Sequence, residues 1–235
     1  MKVPAKRKAA AAPPVPPARR KILLVDDHPF MRAGLAQLID LQADMVVAGE
    51  AGNPAEALQR YAAARPDLVL TDMTMPGRSG LEFIKDLRAA DPDAAILVIS
   101  MHDEAIYAER ALRAGARGYI MKEAGGENLL AAIRQVLAGQ VYLSPKMSAS
   151  ALDRFSGRRP RGSSSPIEKL SDREFEVFRL VGQGKSTRDI AEALHLSTKT
   201  VDVHRAHIKE KLELKDVTAL VRHAVRWVET QNLGQ

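Results

Sequence analysis

The chain has 235 residues, 46% of them hydrophobic and 27% charged, with a formal net charge of +6 and no cysteine. That length allows one or two domains, the absence of thiols excludes disulfides and thiolate metal sites, and no apolar run approaches the ~18–20 residues of a membrane span. The basic first residues lead into no apolar core, so a secretory signal is not expected and a soluble cytoplasmic protein is.

The charge is unevenly placed. Residues 1–20 carry +6, 21–143 carry −5, 144–166 carry +4 and 167–235 carry +1. The basic pI therefore comes from the first and third segments. Polybasic flexible segments either add salt-sensitive, sequence-independent DNA affinity or serve only as solubilising linkers. Residues 1–20 hold almost no large apolar side chains, cannot bury a core and are expected to be disordered. Lys6-Arg7-Lys8 fits a solvated tail better than a localisation signal.

Residues 21–143 alternate short apolar runs with amphipathic stretches. Strands are predicted at about 21–26, 45–50, 67–71, 95–99 and 117–120, and helices at about 29–40, 54–64, 80–89, 104–114 and 127–138. Pro29 and Pro54 occupy first-turn positions behind His28 and Asn53 as caps. Five βα units imply a parallel sheet covered on both faces, joined by right-handed crossovers.

The chemistry gathers at the ends of these strands, where ligands bind in an open α/β sheet. Asp26 and Asp27 follow the first run. Asp72 follows Asp67-Leu68-Val69-Leu70 and opens the loop Met73-Thr74-Met75-Pro76-Gly77-Arg78-Ser79-Gly80. Ser100 ends the fourth run and Lys122 the fifth. Three carboxylates make an oxygen-rich site for a hard cation such as Mg²⁺ beside phosphate. Lys122 supplies the point charge that a transferring phosphoryl group needs, and Ser100 a hydroxyl for a phosphoryl oxygen. His28 fits a helix-start residue better than a metal ligand. Ser100 lies in nothing resembling G-x-S-x-G, which sets a hydrolase aside.

The acid pair, the D-x-x-x-P-x-x-x-G loop, the strand-end Ser and the strand-end Lys together resemble the receiver domain of two-component response regulators, a flavodoxin-like (βα)5 fold. The resemblance implies that Asp72 is the phospho-acceptor. It implies Mg²⁺ ligation by Asp27, Asp72 and the Thr74 backbone carbonyl, with Asp26 acting mostly through water. Ser100 and Tyr119 would be the switch pair, with Tyr119 turning inward on phosphorylation, and Lys122 would hold the phosphoryl group. A sensor histidine kinase is the implied phosphoryl donor.

Residues 144–166, with Ser156-Gly157-Arg158-Arg159-Pro160-Arg161, read as a flexible basic linker. Ser144 to about Leu152 either extends the preceding helix or packs on the first domain. Residues 167–235 read as all-helical. Ser171 and Glu174 form a capping box, with Leu170 and Phe175 as a staple. Gly182-Gln183-Gly184 ends that helix. Ser186 caps a second, His195-Leu196 makes a turn, Ser197 caps a third, and Asp216 caps a fourth running to about Trp227.

Two helices joined by a tight turn, the second rich in Lys, Arg, His and Thr, describe a helix-turn-helix. Ser197, Thr198 and Thr200 lie at the N-terminus of that second helix, where backbone N–H groups favour phosphate. Gly182-Gln183-Gly184-Lys185-Ser186-Thr187 ends like a P-loop, but the first glycine of that motif would fall on Arg179 and a helix precedes it. His204 and His207 lack a third metal ligand.

Leu170-Ser171-Asp172-Arg173-Glu174, Gly184-Lys185-Ser186, Ile190-Ala191, Leu196-Ser197 and Thr200-Val201-Asp202-Val203-His204-Arg205 resemble the LuxR-type DNA-binding domain. With a receiver in front, the chain resembles the NarL/FixJ family of response regulators from Lys21 to Trp227. The resemblance implies that the helix from Ser197 to Leu212 enters the major groove of double-stranded DNA. Lys199, Asp202, Val203, Arg205, Ala206 and Lys209 would then face the bases or backbone. Asp202 either accepts from a cytosine amino group or braces Arg205 by i,i+3 pairing. The last helix is the family's usual dimer contact, implying a homodimer on activation that reads two half-sites. The expected protein is thus a phosphorylation-controlled transcriptional regulator. The alternatives are a phosphate sink or adaptor with a vestigial output domain, and a DNA binder independent of phosphorylation. A stand-alone enzyme is not expected.

Overall fold

Five apolar runs form strands β1 (Arg20–Val25), β2 (Met45–Ala51), β3 (Leu68–Asp72), β4 (Ile96–Ser100) and β5 (Gly118–Met121). They pair in parallel in the order β2-β1-β3-β4-β5. The computed structural model describes residues 18–75, 79–102, 104–149, 166–194 and 196–232. The expected disordered tail, most of the expected linker, Pro76, Gly77 and Arg78 of the loop motif, and His195 lie outside these residues.

Helices α1 (Pro29–Asp40), α2 (Pro54–Ala64), α3 (Gly80–Ala90), α4 (Glu104–Ala114) and α5 (Gly126–Leu137) follow the strands in turn. Strand side chains alternate between faces with a period of two. Leu23, Val25, Val69 and Val98 therefore pack with Ala57, Phe83, Leu87 and Ala111 of α2, α3 and α4. Ile22, Leu24, Leu70 and Ile99 pack with Leu35, Ile39, Leu129 and Ile133 of α1 and α5. β3 and β4 are buried along their whole length, as a sheet covered on both sides requires. Because β2 and β3 lie on opposite sides of β1, the crossovers diverge there and leave a crevice at the strand ends.

The caps are local and specific. Asn53 Oδ1 accepts from Glu56 N at 3.0 Å and Ser79 Oγ from Glu82 N at 3.3 Å, each satisfying an orphan N–H. Gly80 closes the loop after β3: its N–H donates to Met73 O at 3.0 Å. A Cβ there would stand 2.6 Å from that same oxygen, so only glycine permits the approach.

The segment after α5 belongs to the first domain. Tyr142 bridges Gly118, and Ser144 Oγ donates to Glu104 Oε1 at 2.8 Å. Residues 145–149 form a further helical turn, from which Met147 packs on the core. Residues 144–149 of this stretch pack on the sheet domain, and 150–152 lie outside the described residues.

The second domain is helical: α6 (Asp172–Gly182), α7 (Thr187–Ala193), α8 (Thr198–Lys211) and α9 (Val217–Asn232). The Ser171/Glu174 capping box forms, and a second one joins Ser186 to Asp189. Ser197 caps α8 and Asp216 Oδ1 accepts from Ala219 N at 2.7 Å. α9 runs past the expected end at Trp227. Leu220, Ala224 and Trp227 share one face at helical spacing and pack inward, and no glycine or proline stops the chain before Gly234. Gly182 lets α6 and α9 touch, since a Cβ there would meet Ala224 O at 2.4 Å.

The two domains share one apolar cluster. Tyr107 of α4 meets the Phe175 ring edge-on at 5.1 Å, and Phe175 meets Trp227 at 5.5 Å. Arg110 lies over the Phe175 ring at 4.5 Å and donates to the carbonyls of Leu170 and Ile167, both at 2.9 Å, and to Asp172 Oδ1 at 3.1 Å. Lys85 closes on Asp172 Oδ2 at 2.6 Å and Arg173 on Glu82 at 3.5 Å. The docking face is thus α3 and α4 against α6.

Candidate functional site

Asp26 follows β1, Asp72 ends β3 and Lys122 follows β5, so the crevice between β1 and β3 receives all three. Lys122 Nζ lies 2.8 Å from Asp26 Oδ2 and 2.8 Å from Asp72 Oδ2. Asp26 and Asp72 are 1% and 4% exposed. One ammonium thus bridges two buried carboxylates. Asp72 Oδ1 accepts from the backbone N–H groups of Met73 at 2.6 Å and Thr74 at 3.3 Å.

Burial raises the Asp72 carboxyl above the ordinary carboxylate value, against the pull of Lys122 and with the help of Asp26. Burial works against the Lys122 charge too, but its hydrogen bonds to Asp26 and Asp72 outweigh it and raise its pKa. These directions oppose each other, since one favours a neutral acid and the other an ammonium. The ion pair is the sounder description, because Nζ sits within hydrogen-bond distance of both carboxylates.

Asp26, Asp27, His28 and Asp72 offer ligand atoms within 4.8 Å of one another. Asp27 Oδ1 is buried and meets no well-aligned hydrogen bond among the described residues, its near neighbour being the His28 ring. Three clustered carboxylates fit a hard, oxygen-seeking cation. His28 precedes Pro29 as expected, but its ring makes no cap hydrogen bond. The ring turns to the acids instead, with Nδ1 3.2 Å from Asp26 Oδ1 and 2.9 Å from Asp27 Oδ1.

The expected switch residues flank this cluster. Ser100 is buried at the end of β4, and its Oγ accepts from His102 N at 3.1 Å. Tyr119, expected to turn inward on phosphorylation, is 1% exposed, its hydroxyl donating to His102 O at 2.7 Å. The His102 carbonyl provides a buried acceptor for that hydroxyl. Thr74 is exposed, and its Oγ1 pairs with His102 Nε2 at 2.7 Å.

His102 escaped the sequence reading. It joins the Thr74 hydroxyl to the Tyr107 ring, on which it stacks at 4.8 Å. Burial lowers its pKa to about 4, helped by the Arg179 and Lys122 charges, so it is neutral at pH 7. Arg110 and Arg179 also carry no signal in sequence, since each is one of many exposed-looking basic residues on an amphipathic helix. A cavity of about 660 Å³ runs from Asp72, Ser100 and Lys122 to Phe175 and Arg179 of α6.

The other candidate surface is α8. Ser197, Thr198, Lys199, Asp202, Val203 and Ala206 are exposed, while Thr200, Arg205 and Lys209 are partly buried. Most of the expected DNA-contact residues of α8 thus stay open to solvent while α6 is docked. Arg205 turns back: its Nη1 donates to Thr187 Oγ1 at 2.5 Å. The expected bracing by Asp202 is not among the ion pairs of the described residues. Lys211 also points inward, to Glu174 Oε2 at 2.6 Å. His204 and His207 form no metal cluster among the described residues.

A parallel five-stranded sheet with an acid–lysine crevice, joined to a four-helix helix-turn-helix unit, defines a receiver linked to a DNA-binding output domain. Residues 22–134 match the family model of the response regulator receiver domain. Residues 168–224 match that of bacterial regulatory proteins, luxR family. The oxygen regulatory protein NreC of Staphylococcus carnosus (strain TM300) is 38% identical over 210 residues, spanning 88% of this chain and 97% of that one. A LuxR-family two-component response regulator from Aurantimonas sp. SI85-9A1 is 35% identical with a TM-score of 0.56, over 59% of this chain and 99% of that one. RcsB from Salmonella enterica serovar Typhimurium, solved bound to the promoter rprA in the presence of phosphomimetic BeF3-, shares the fold at 22% identity with a TM-score of 0.66, over 88% of this chain and 99% of that one. The chain belongs to the NarL/FixJ family of two-component response regulators. It is a response regulator with a LuxR-type DNA-binding domain, in a family of transcriptional regulators. No described helix is long and apolar enough to cross a membrane.

Proposed function

We propose that Asp72 is the phospho-acceptor of this regulator and that its phosphorylation controls DNA binding by α8. The single observation that carries the reading is the Asp26–Lys122–Asp72 bridge at the β1/β3 crevice. Asp72 Oδ2 attacks the phosphorus of a kinase phosphohistidine. The P–N bond breaks, the imidazole leaves with the bonding pair and takes a proton from solvent, and an acyl phosphate remains on Asp72. Lys122 offsets the added charge, and the Ser100 hydroxyl is placed to donate to a phosphoryl oxygen. Asp27, Asp72 and the Thr74 carbonyl would hold Mg²⁺, with Asp26 beside it. The cation, when bound, would neutralise charge on the transferring phosphoryl oxygens.

The domain boundaries we propose are a tail over 1–20, a receiver over 21–143, a linker over 144–166 whose first residues, 144–149, pack back on the receiver, and the DNA-binding domain over 167–235. The partners are a sensor histidine kinase, double-stranded DNA and a second copy of the chain, in the cytoplasm. The exposed Val217 and Val221 of α9 support the homodimer, and the exposed N-terminus of α8 supports entry into the major groove.

The test uses the full chain and its Asp72→Asn variant with labelled acetyl phosphate and Mg²⁺. The expected result is label on the wild type alone, with basal DNA binding retained by the variant. Label on Asp72→Asn overturns the assignment. Selection from random DNA, with and without beryllofluoride, should enrich a two-fold site more strongly on activation. Enrichment unchanged by activation would uncouple the receiver, and no enrichment would favour a sink or adaptor.

A further inference from the structure

The cavity beside Asp72 has one wall from each domain. Asp72, Ser100 and Lys122 line the receiver side, and Arg179 and Glu176 the α6 side. Their electrostatic roles differ sharply. Glu176 is spoken for, paired with Arg173 at 2.9 Å. The other cations of the docking face are held as well, Lys85 and Arg110 by Asp172 and Arg173 by Glu82 and Glu176. Arg179 makes no ion pair and no side-chain hydrogen bond among the described residues. A guanidinium with five donors in a fixed fork has therefore been left facing a cavity whose opposite wall is the phosphoryl-accepting end of the sheet.

Two further observations point the same way. The His102 ring feels the charges of both Lys122 and Arg179, so the two cations work on one region of the cavity. Tyr107, 6% exposed, also lines it, and its buried hydroxyl has no hydrogen-bond partner among the described residues. Such a donor needs an explanation, and an absent anion is one. Asp72 unmodified offers one negative charge, already matched by Lys122. A phosphoryl group raises that to about −2 and adds three acceptor oxygens, which leave lone pairs beyond those met by Lys122, the Ser100 hydroxyl and a bound cation.

We propose that Arg179, carried by the DNA-binding domain, is a ligand for the phosphoryl group on Asp72, with the Tyr107 hydroxyl as a second donor. The inference rests on the reading of Asp72 as phospho-acceptor. Phosphorylation then draws α6 toward the receiver instead of expelling it, and the phosphoryl site is complete only when the two domains are docked. Because α8 is exposed in this docked arrangement, drawing α6 in does not hide the DNA-reading residues.

The test is calorimetric titration of the full chain with beryllofluoride and Mg²⁺, comparing wild type, Arg179→Ala and Arg179→Lys. A charge-assisted hydrogen bond lost to a charged ligand weakens binding about tenfold or more. The expected result is that loss in Arg179→Ala and partial recovery in Arg179→Lys, with the emission of Trp227 in the unliganded proteins unchanged. Trp227 meets Phe175 of the docking face edge-on, so its emission reports whether the interface itself survived. Wild-type affinity in Arg179→Ala overturns the proposal. So does a loss that the lysine does not recover and that comes with a changed unliganded emission, which marks a structural role only. No beryllofluoride uptake by the wild type, together with no labelling of Asp72 by acetyl phosphate, would instead sink the phospho-acceptor reading itself.

Discussion

Lys122 Nζ stands 2.8 Å from Asp72 Oδ2 and the same distance from Asp26 Oδ2, one buried cation between two buried anions. Removing it strands two carboxylates in a site that water barely reaches. Lys122→Ala should lower stability by about 3–5 kcal/mol, the usual cost of breaking a buried pair on one side. Millimolar Mg²⁺ should restore part of that by supplying the missing charge. Urea midpoints with and without Mg²⁺ measure both effects, and a variant as stable as the wild type would refute the description of the bridge.

Arg110 ties the domains through two carbonyls of the segment before α6 and through Asp172. Hydrogen bonds to a charged group contribute about 1.5–3 kcal/mol each at most. Arg110→Ala should therefore weaken docking by roughly 2 kcal/mol while leaving each domain folded, since Arg110 packs on the outside of α4. The urea transition of Trp227 emission should move to lower concentration, whereas the receiver's own transition, followed by the tyrosines, should stay in place.

Glu174 sits in the capping box of α6, accepting from Ser171 N at 2.8 Å and pairing with Lys211 at 2.6 Å. Burial works against its charge, but these partners outweigh it and hold its pKa below the ordinary 4.5. A depressed acid stabilises the fold above its unfolded pKa, and that stability is lost as pH falls through the native value. The helical domain should lose stability as pH falls below about 4.5, and Glu174→Gln should lose less over the same window. Thermal midpoints of both proteins at pH 7 and pH 4 give the difference, in which other carboxylates cancel.

Lys199 is exposed on the first turn of α8, with no partner among the described residues. In the proposed role of a phosphate contact it would release counterions on binding. Lys199→Ala should weaken binding to all sequences alike and reduce the slope of log affinity against log salt by about 0.9. Arg205→Ala should differ, because Arg205 also holds Thr187 of α7. It should cost stability of the helix-turn-helix as well as DNA affinity, which melting of the free variant will show.

Much of this protein is legible in one dimension. The βα alternation is fixed by hydrophobic period and by caps such as Asn53 and Ser79, and the first helix of the second domain by Ser171, each with its partner three residues away. Local signals of that kind survive in sequence, and so the ten-element receiver and the four helices of the output domain could be read directly. The acids and the lysine could be read as well, because each closes a strand and a parallel sheet aligns all strand ends on one edge. α9 runs longer than expected because nothing between Trp227 and Asn232 forbids helix, while Trp227 itself packs on Phe175 and Phe178.

The tertiary structure decided what the period of a helix cannot express: which outward face meets a neighbour. Arg110 and Arg179 look alike in sequence, two basic residues on amphipathic helices. Docking of α6 on α3 and α4 gives Arg110 three acceptors and leaves Arg179 none among the described residues. It also brings the Phe175 ring edge-on to Tyr107, which stacks on His102, so that these rings and Trp227 form one contiguous run of aromatic contacts across the two domains. Sequence thus determined the chemistry available at each strand end, because that depends on residue type and local conformation. Only the three-dimensional arrangement determined which charges are satisfied and which remain open, because that depends on groups brought together from distant parts of the chain.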